Sequence, residues 1–480
     1  MQLQEQTPLY SKLLQFQSEN NISFHVPGHK NGELLSYDDE WEGLLWKFDV
    51  TELNGLDDLH APAGVIADAE QLLTDFYGVK KSYFLVNGST VGNLAMILSA
   101  LKEGDKVFVQ RNSHKSIMNG IKLAKAQPIL LSPDYEEDWK VEMPLSVKTI
   151  KQAIAQFPNV KTLILTYPNY YGMVGELEKI IQLAHANRIC VLVDEAHGAH
   201  FRGNSHFPSS AVQLGADIVV QSAHKTLPAL TMGAYLHYNT DFIRQQEVKS
   251  YLEMLQSSSP SYLIMASLDK ARQYLATYKM EDWDYLEKTI TEFRNELQMI
   301  PQLNVLNYPY QGDPLKITVQ STTDISGFEI QKRLEKEGIY TELADSYNVL
   351  FVFPLLKKQM AFPLDNIIIK IKKALTGISS GYSFKKELDQ SIKKREDIVE
   401  LKLSEKEQAQ RSKLEVLLSD ALHAVCAEAI IPYPPGIPLL MPGEEITEYH
   451  IDQIKKLLKN GARFQGSSSI YNNKINIYEK

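Results

Sequence analysis

Ile189-Cys190-Val191-Leu192-Val193-Asp194-Glu195-Ala196-His197-Gly198 and, one crossover later, Ile218-Val219-Val220-Gln221-Ser222-Ala223-His224-Lys225 decide the fold. Each is an apolar run closed by polar residues, as expected of a strand buried on both faces. Their separation fits one strand-crossover-strand unit. The first run delivers Asp194 to a strand C-terminus, and the second delivers Lys225. Ligands of open α/β sheets bind just outside strand C-termini. An amine and a carboxylate presented there match the needs of pyridoxal 5′-phosphate. Its aldehyde forms a Schiff base with a lysine, and its pyridine nitrogen stays protonated beside a carboxylate.

Outward from this pair, residues 64–240 alternate strand-like and helix-like blocks, predicting an α/β domain with a mainly parallel sheet. Strands are predicted at 83–86, 106–110, 128–131, 162–166, 189–193, 217–221 and 233–237, with helices at 92–101, 116–124, 147–156 and 177–187. Residues 241–300 read as helical, interrupted by Gln256-Ser257-Ser258-Ser259-Pro260-Ser261. A smaller α+β pattern follows: strand 316–320, helix 327–336, strand 349–353, helix 365–375. The expected organisation is an N-terminal segment (1–63), a large domain (64–300), a small α+β domain (301–384), a charged linker (385–415) and a small C-terminal domain (416–480). The linker assignment rests on its dense mixed charge, centred on Lys393-Lys394-Arg395-Glu396-Asp397.

Composition narrows the function class. The 480 residues are 44% hydrophobic and 23% charged, with a net charge of −9. That balance gives no basic footprint for nucleic acid or an anionic membrane. Two cysteines, Cys190 and Cys426, are too few for a disulfide framework or a thiolate metal site. No signal peptide or membrane-length apolar run is expected, so the expectation is a soluble cytoplasmic protein.

A phosphate needs backbone N–H groups and hydroxyls near a helix N-terminus. Gly88-Ser89-Thr90 follows a predicted strand and opens a predicted helix, and Ser222 and His224 flank Lys225 with further donors. His114 lies at another strand-to-helix junction, where an imidazole can stack on a cofactor ring. Asp194-Glu195-Ala196-His197 also matches a helicase box, but the sequence lacks the companion Gly-x-x-x-x-Gly-Lys-Ser/Thr phosphate loop. His197, His200 and His206 lack the thiolates or carboxylate spacing of a metal site, and no metal is expected.

Together these residues resemble the Orn/Lys/Arg decarboxylases of pyridoxal phosphate fold type I, the aspartate-aminotransferase-like fold. The resemblance spans nearly the whole chain. It includes His25-Val26-Pro27-Gly28-His29-Lys30, Leu56-Asp57-Asp58-Leu59-His60-Ala61-Pro62, Arg111-Asn112-Ser113-His114-Lys115-Ser116 and Tyr433-Pro434-Pro435-Gly436-Ile437-Pro438. Within the family the chain is similar to the short Gram-positive branch, without the N-terminal receiver-like domain of the long enzymes. The resemblance implies α-decarboxylation of arginine, lysine or ornithine, feeding polyamine synthesis. It implies Lys225 as the Schiff-base residue, Asp194 at the pyridine nitrogen, His114 on the ring, and Gly88, Ser89, Thr90, Ser222 and His224 around the phosphate.

It further implies a homodimer, or a higher homo-oligomer, with shared active sites. The N-terminal segment contributes to that interface, and one of Ser257, Ser258 and Ser259 reaches the partner's cofactor, with Ser258 the middle candidate. Where the long enzymes carry Trp, this chain has His197, whose role stays open between bonding the cofactor and packing. A cationic substrate needs a distal anion, for which Glu342 and Asp345 are preferred and Asp57, Asp58 and Glu444 are further candidates. An aminotransferase or acyltransferase-like enzyme of the same fold would retain Lys225 and Asp194. A non-catalytic cofactor-binding protein is the other alternative.

Overall fold

A computed structural model describes residues 2–19, 21–35, 40–379, 396–433, 438–459 and 461–479. The Pro434-to-Ile437 core of the C-terminal turn motif and Lys393-Lys394-Arg395 lie outside the described residues. The chain divides into two compact units, Met1–Ala100 with Cys190–Met280, and Leu101–Ile189 with Glu281–Lys480.

The predicted strands form within two residues of their expected positions. They are β1 (Lys81–Leu85), β2 (Lys106–Gln110), β3 (Gln127–Leu131), β4 (Thr162–Thr166), β5 (Cys190–Asp194), β6 (Ile218–Gln221) and β7 (Ala234–Tyr238). In the first unit β5 pairs parallel with β6, while β7 lies antiparallel between β6 and β1. The departure from parallel pairing at β7 has a local cause. In the connection between β6 and β7 only the single turn Ala223–Thr226 is helical, whereas a parallel return usually carries a full helix. All five residues of β5 are buried, which is why that strand reads as an unbroken apolar run.

Helix α1 (Val65–Tyr77) precedes β1, and α2 (Gly88–Ala100) follows it. Gly92 permits the close approach of α2 to the strands. A Cβ there would stand 2.6 Å from Leu85 Cδ1 and 2.8 Å from Val220 Cγ1. Overpacking of that kind costs about 1–3 kcal/mol. The long helices Gln245–Leu255 and Tyr262–Ala276 complete this unit, broken at 256–261 as expected.

In the second unit β2 pairs parallel with both β3 and β4. Helix α3 (Lys115–Leu123) follows β2. The small α+β region is an antiparallel sheet of β8 (Leu303–Val305), β9 (Lys316–Ser321), β10 (Leu343–Ala344) and β11 (Asn348–Val352), in the order β8-β9-β11-β10. The charged stretch after residue 395 has structure of its own. β12 (Ile398–Glu400) pairs antiparallel with β3, and a capping box at Ser404 and Glu407 starts the helix Glu405–Gln410. β13 (Lys413–Leu417) then pairs with β14 (Lys474–Tyr478) over an apolar cluster that includes Leu418, Cys426, Ile430, Ile446, Ile454 and Ile475.

Candidate active site

β5 ends on Asp194, and β6 runs through Ser222 into the helical turn that carries Lys225. Asp194 is 3% exposed. Its Oδ1 accepts the Ala196 N–H at 3.1 Å, and its Oδ2 accepts from Asn93 Nδ2 at 2.9 Å. These two donors fix the carboxylate plane. Asn93, buried on α2, was not among the residues singled out in the sequence. Its signal is positional: it stands four residues after Ser89, and residues spaced i, i+4 share a helix face. Asn93→Ala is expected to lower kcat/KM about tenfold to a hundredfold, since a hydrogen bond to a charged group contributes about 1.5–3 kcal/mol. Steady-state kinetics with a parallel cofactor titration checks this, and an unchanged kcat/KM would remove Asn93 from the site.

Lys225 Nζ lies 3.0 Å from Nε2 of His197, which is buried. Gly88 has φ +78°, a left-handed conformation that favours glycine, and its N–H donates to the Met232 carbonyl at 2.9 Å. Ser222 Oγ donates to Ser89 Oγ at 2.8 Å. Two hydroxyls thus meet at the start of α2, where unpaired N–H groups and the helix dipole favour an anion. Thr90 is exposed on the first turn. His224 Nδ1 faces the Gly233 carbonyl at 3.0 Å; a carbonyl only accepts, so Nδ1 carries a proton.

The 257–259 turn is held on the same unit. Ser257 N–H donates to Asn87 Oδ1 at 3.3 Å, and His60 Nε2 contacts the Ser257 carbonyl at 2.8 Å. Ser257 Oγ donates to the Ser259 carbonyl at 3.2 Å, and Ser257, Ser258 and Ser259 are all exposed. Beneath Asp194 lies a buried polar chain. Glu195 accepts from Ser210 Oγ at 2.7 Å, Gln221 Nε2 at 2.6 Å and the Ala211 N–H at 2.6 Å. Burial pushes the Glu195 carboxyl up to about 8, with the Ser210, Gln221 and Ala211 donors pulling it down.

In the second unit His114 caps α3, and its Nδ1 accepts the Ser116 N–H at 3.3 Å. An N–H can only donate, so Nδ1 holds a lone pair and the neutral ring carries its proton on Nε2.

The amine, the buried carboxylate and the hydroxyl-lined helix start match the donor set that pyridoxal 5′-phosphate requires. The Orn/Lys/Arg decarboxylase major domain matches residues 7–311, and the C-terminal domain of the same family matches residues 389–469. The chain belongs to the Orn/Lys/Arg decarboxylase family. It is 43% identical to "Uncharacterized protein YaaO" of Bacillus subtilis over 98% of each chain. It is 33% identical to an arginine decarboxylase of the same organism over 96% of each. In fold it is similar to the constitutive lysine decarboxylase of Escherichia coli, with TM-score 0.79 at 19% identity, covering 99% of this chain and 82% of that one. As a member of this family the protein is a pyridoxal-phosphate-dependent amino-acid decarboxylase.

The carboxylates considered for the far end of a decarboxylase substrate fare unequally. Asp57 is committed to the start of α1. Its oxygens accept the N–H groups of Asp58, Ala63, Gly64, Ile66 and Ala67 at 2.8–3.2 Å. Burial alone pushes Asp57 up, but these backbone bonds outweigh it and leave the carboxyl below its ordinary range. Asp345 is likewise engaged: Oδ1 accepts from the N–H groups of Tyr347 and Asn348, and Oδ2 from the Tyr171 hydroxyl and Asn348 Nδ2. Glu444 is 3% exposed and paired with Arg111, with Nη1 2.6 Å from Oε1 and Nη2 2.7 Å from Oε2. These three carboxylates serve the fold. Asp58 accepts the His60 N–H at 2.8 Å and is half-buried, while Glu342 is exposed.

In the sequence Arg111 stands in Arg111-Asn112-Ser113-His114-Lys115-Ser116 with no local mark of a role of its own. The structure makes it the link between the end of β2, three residues before His114, and the C-terminal region. Its Nη2 also donates to the Leu439 carbonyl at 2.8 Å. Among the described residues no group of three or more His, Cys, Asp or Glu is placed to hold a metal ion.

Proposed function

We propose that this decarboxylase acts on arginine, releasing CO₂ and the corresponding amine for polyamine synthesis. Four relatives named arginine decarboxylase, 31–33% identical over 92–97% of this chain, support that choice. The relatives named lysine decarboxylase stand at 21–27%. The single observation that carries the chemistry is the Asp194 and Lys225 arrangement at neighbouring strand ends.

When bound, pyridoxal 5′-phosphate supplies an electron-withdrawing ring that accepts the electron pair of the breaking Cα–carboxylate bond. Asp194, held by Asn93 and the Ala196 N–H, would hold the pyridine nitrogen in its protonated form through a charge-assisted hydrogen bond. Gly88, Ser89, Thr90, Ser222 and His224 would hold the phosphate. Lys225 would be the residue that anchors the cofactor's aldehyde, and its ammonium could hold a proton beside the reacting carbon. His114, a neutral imidazole by its bond from the Ser116 N–H, would be the aromatic partner of the cofactor ring that the family resemblance implies. Asp58 and Glu342 are the remaining candidates for the substrate's guanidinium.

The protein acts in the cytoplasm as a dimer or higher homo-oligomer, and among the described residues no helix is long and apolar enough to cross a membrane. Ile22, Phe24, Val26 and Leu34 are 80, 96, 60 and 72% exposed. That apolar segment supports a partner subunit covering it. One of the exposed hydroxyls of Ser257, Ser258 and Ser259 would then be offered to the partner's phosphate. Incubating the cofactor-loaded protein with arginine, lysine and ornithine, with mass spectrometry of amine and CO₂, tests the proposal. Arginine is expected to be turned over fastest. Faster turnover of lysine or ornithine would overturn the substrate, and turnover of none would overturn the reaction.

A further inference from the structure

We infer that His197 is the proton acceptor for Lys225, the group that frees the lysine amine for bonding to the cofactor. The inference rests on Lys225 being the cofactor-anchoring residue, as proposed above. Lys225 Nζ and His197 Nε2 are 3.0 Å apart, within general-base reach. An ammonium has three donors and no lone pair, so while Lys225 is charged Nε2 must accept and the ring proton sits on Nδ1. In that state Nε2 faces the lysine with the lone pair that a proton acceptor needs.

The local backbone holds that geometry. Gly198 N–H donates to the Glu195 carbonyl at 3.0 Å, closing a tight turn immediately after β5. A Cβ at Gly198 would stand 2.7 Å from Glu195 Cγ and 3.0 Å from the Phe201 ring. Glu195 is itself locked by Ser210, Gln221 and the Ala211 N–H, so the turn has little room to move. His197 is 4% exposed, and bulk water is a poor substitute for it there.

The proton balance is simple. Lys225 ammonium gives one proton to His197 Nε2, leaving a neutral amine and an imidazolium. The amine lone pair attacks the cofactor's aldehyde carbon, and the aldehyde oxygen leaves as water. The imidazolium returns its proton when Lys225 is next released and becomes an ammonium. No electrons change hands and no other reactant is needed. His197 is thus a catalytic residue where the sequence left its role open between bonding the cofactor and packing.

The test follows bond formation directly. Full-length protein is stripped of cofactor, mixed rapidly with pyridoxal 5′-phosphate, and followed by the visible absorption of the lysine-bound cofactor. His197→Gln retains a hydrogen-bond acceptor of similar size but cannot hold a proton. Its rate is expected to fall on the order of a hundredfold, the scale of a lost general base. In His197→Ala, added imidazole should restore part of the rate. A His197→Gln rate within about twofold of the parent would overturn the inference, since general bases contribute far more. So would a slowed His197→Ala that imidazole does not accelerate, which would mark a purely positional role. Lys225→Ala, run alongside, separates the two readings: if it still acquires the absorption, the lysine assignment has failed rather than the histidine.

Discussion

Lys225→Ala is expected to abolish decarboxylation, lowering kcat by on the order of 10⁴-fold or more while the protein folds normally. Two losses combine. On the proposed assignment the cofactor would lose its covalent anchor, and the substrate the ammonium that carries a proton to it. The change is spared a large folding cost because Lys225 is half-buried on a one-turn helix rather than in the core. Borohydride treatment of the parent should leave a pyridoxyl group on the peptide containing Lys225, read by peptide mass spectrometry. An adduct on a different lysine, or an unshifted visible spectrum in Lys225→Ala, would move the site elsewhere.

Glu444→Ala is expected to destabilise the protein by about 3–5 kcal/mol, because it strands the buried Arg111 charge. The Arg111 and Glu444 side chains are 1% and 3% exposed. Nearby charges set the pH dependence. Burial pushes Glu142 up to about 7, with Arg111 pulling it down. Burial also holds His450 down to about 4, so it is neutral at pH 7 and supplies no second cation. A carboxyl raised in this way contributes stability below its ordinary value of 4.5 and loses it as pH rises through about 7. Once ionised, Glu142 offers Arg111 a replacement anion, so the deficit of Glu444→Ala should shrink on raising the pH above 7.

Denaturant midpoints of parent and variant at pH 6 and pH 8 measure this. Replacing both members by apolar residues of similar volume should recover much of the loss. A Glu444→Ala midpoint equal to the parent's would mean the pair does not carry the charge of this region. Because Arg111 lies three residues before His114, the variant should also lose activity beyond its loss of folded protein.

Some of the site could be read before any coordinates. Asp194 closes a buried strand and Lys225 follows another within one helical turn, and a buried strand has a one-dimensional signature: an apolar run cut short by a polar residue. Gly88-Ser89-Thr90 was legible for a similar reason, since a turn glycine followed by hydroxyl residues has a local meaning at a helix start. Asn93 was not, because an asparagine inside an apolar helix gains its role only from what the opposite strand places within 2.9 Å. Among the acidic candidates the sequence cannot separate a carboxylate facing a pocket from one clamping a backbone. Asp57 and Asp345 are of the second kind, and their donors come largely from residues a few positions on.

The amino-acid sequence by itself determined the α/β architecture, the strand ends that carry Asp194 and Lys225, and the family to which the chain belongs. Those properties depend on short-range periodicity and on residue types at fixed spacings. Tertiary structure alone decided that Glu444 pairs with Arg111, that Asn93 steadies Asp194, and that His197 faces Lys225 at 3.0 Å. Each is a contact between segments separated by tens to hundreds of residues, and packing sets such distances while no local pattern records them.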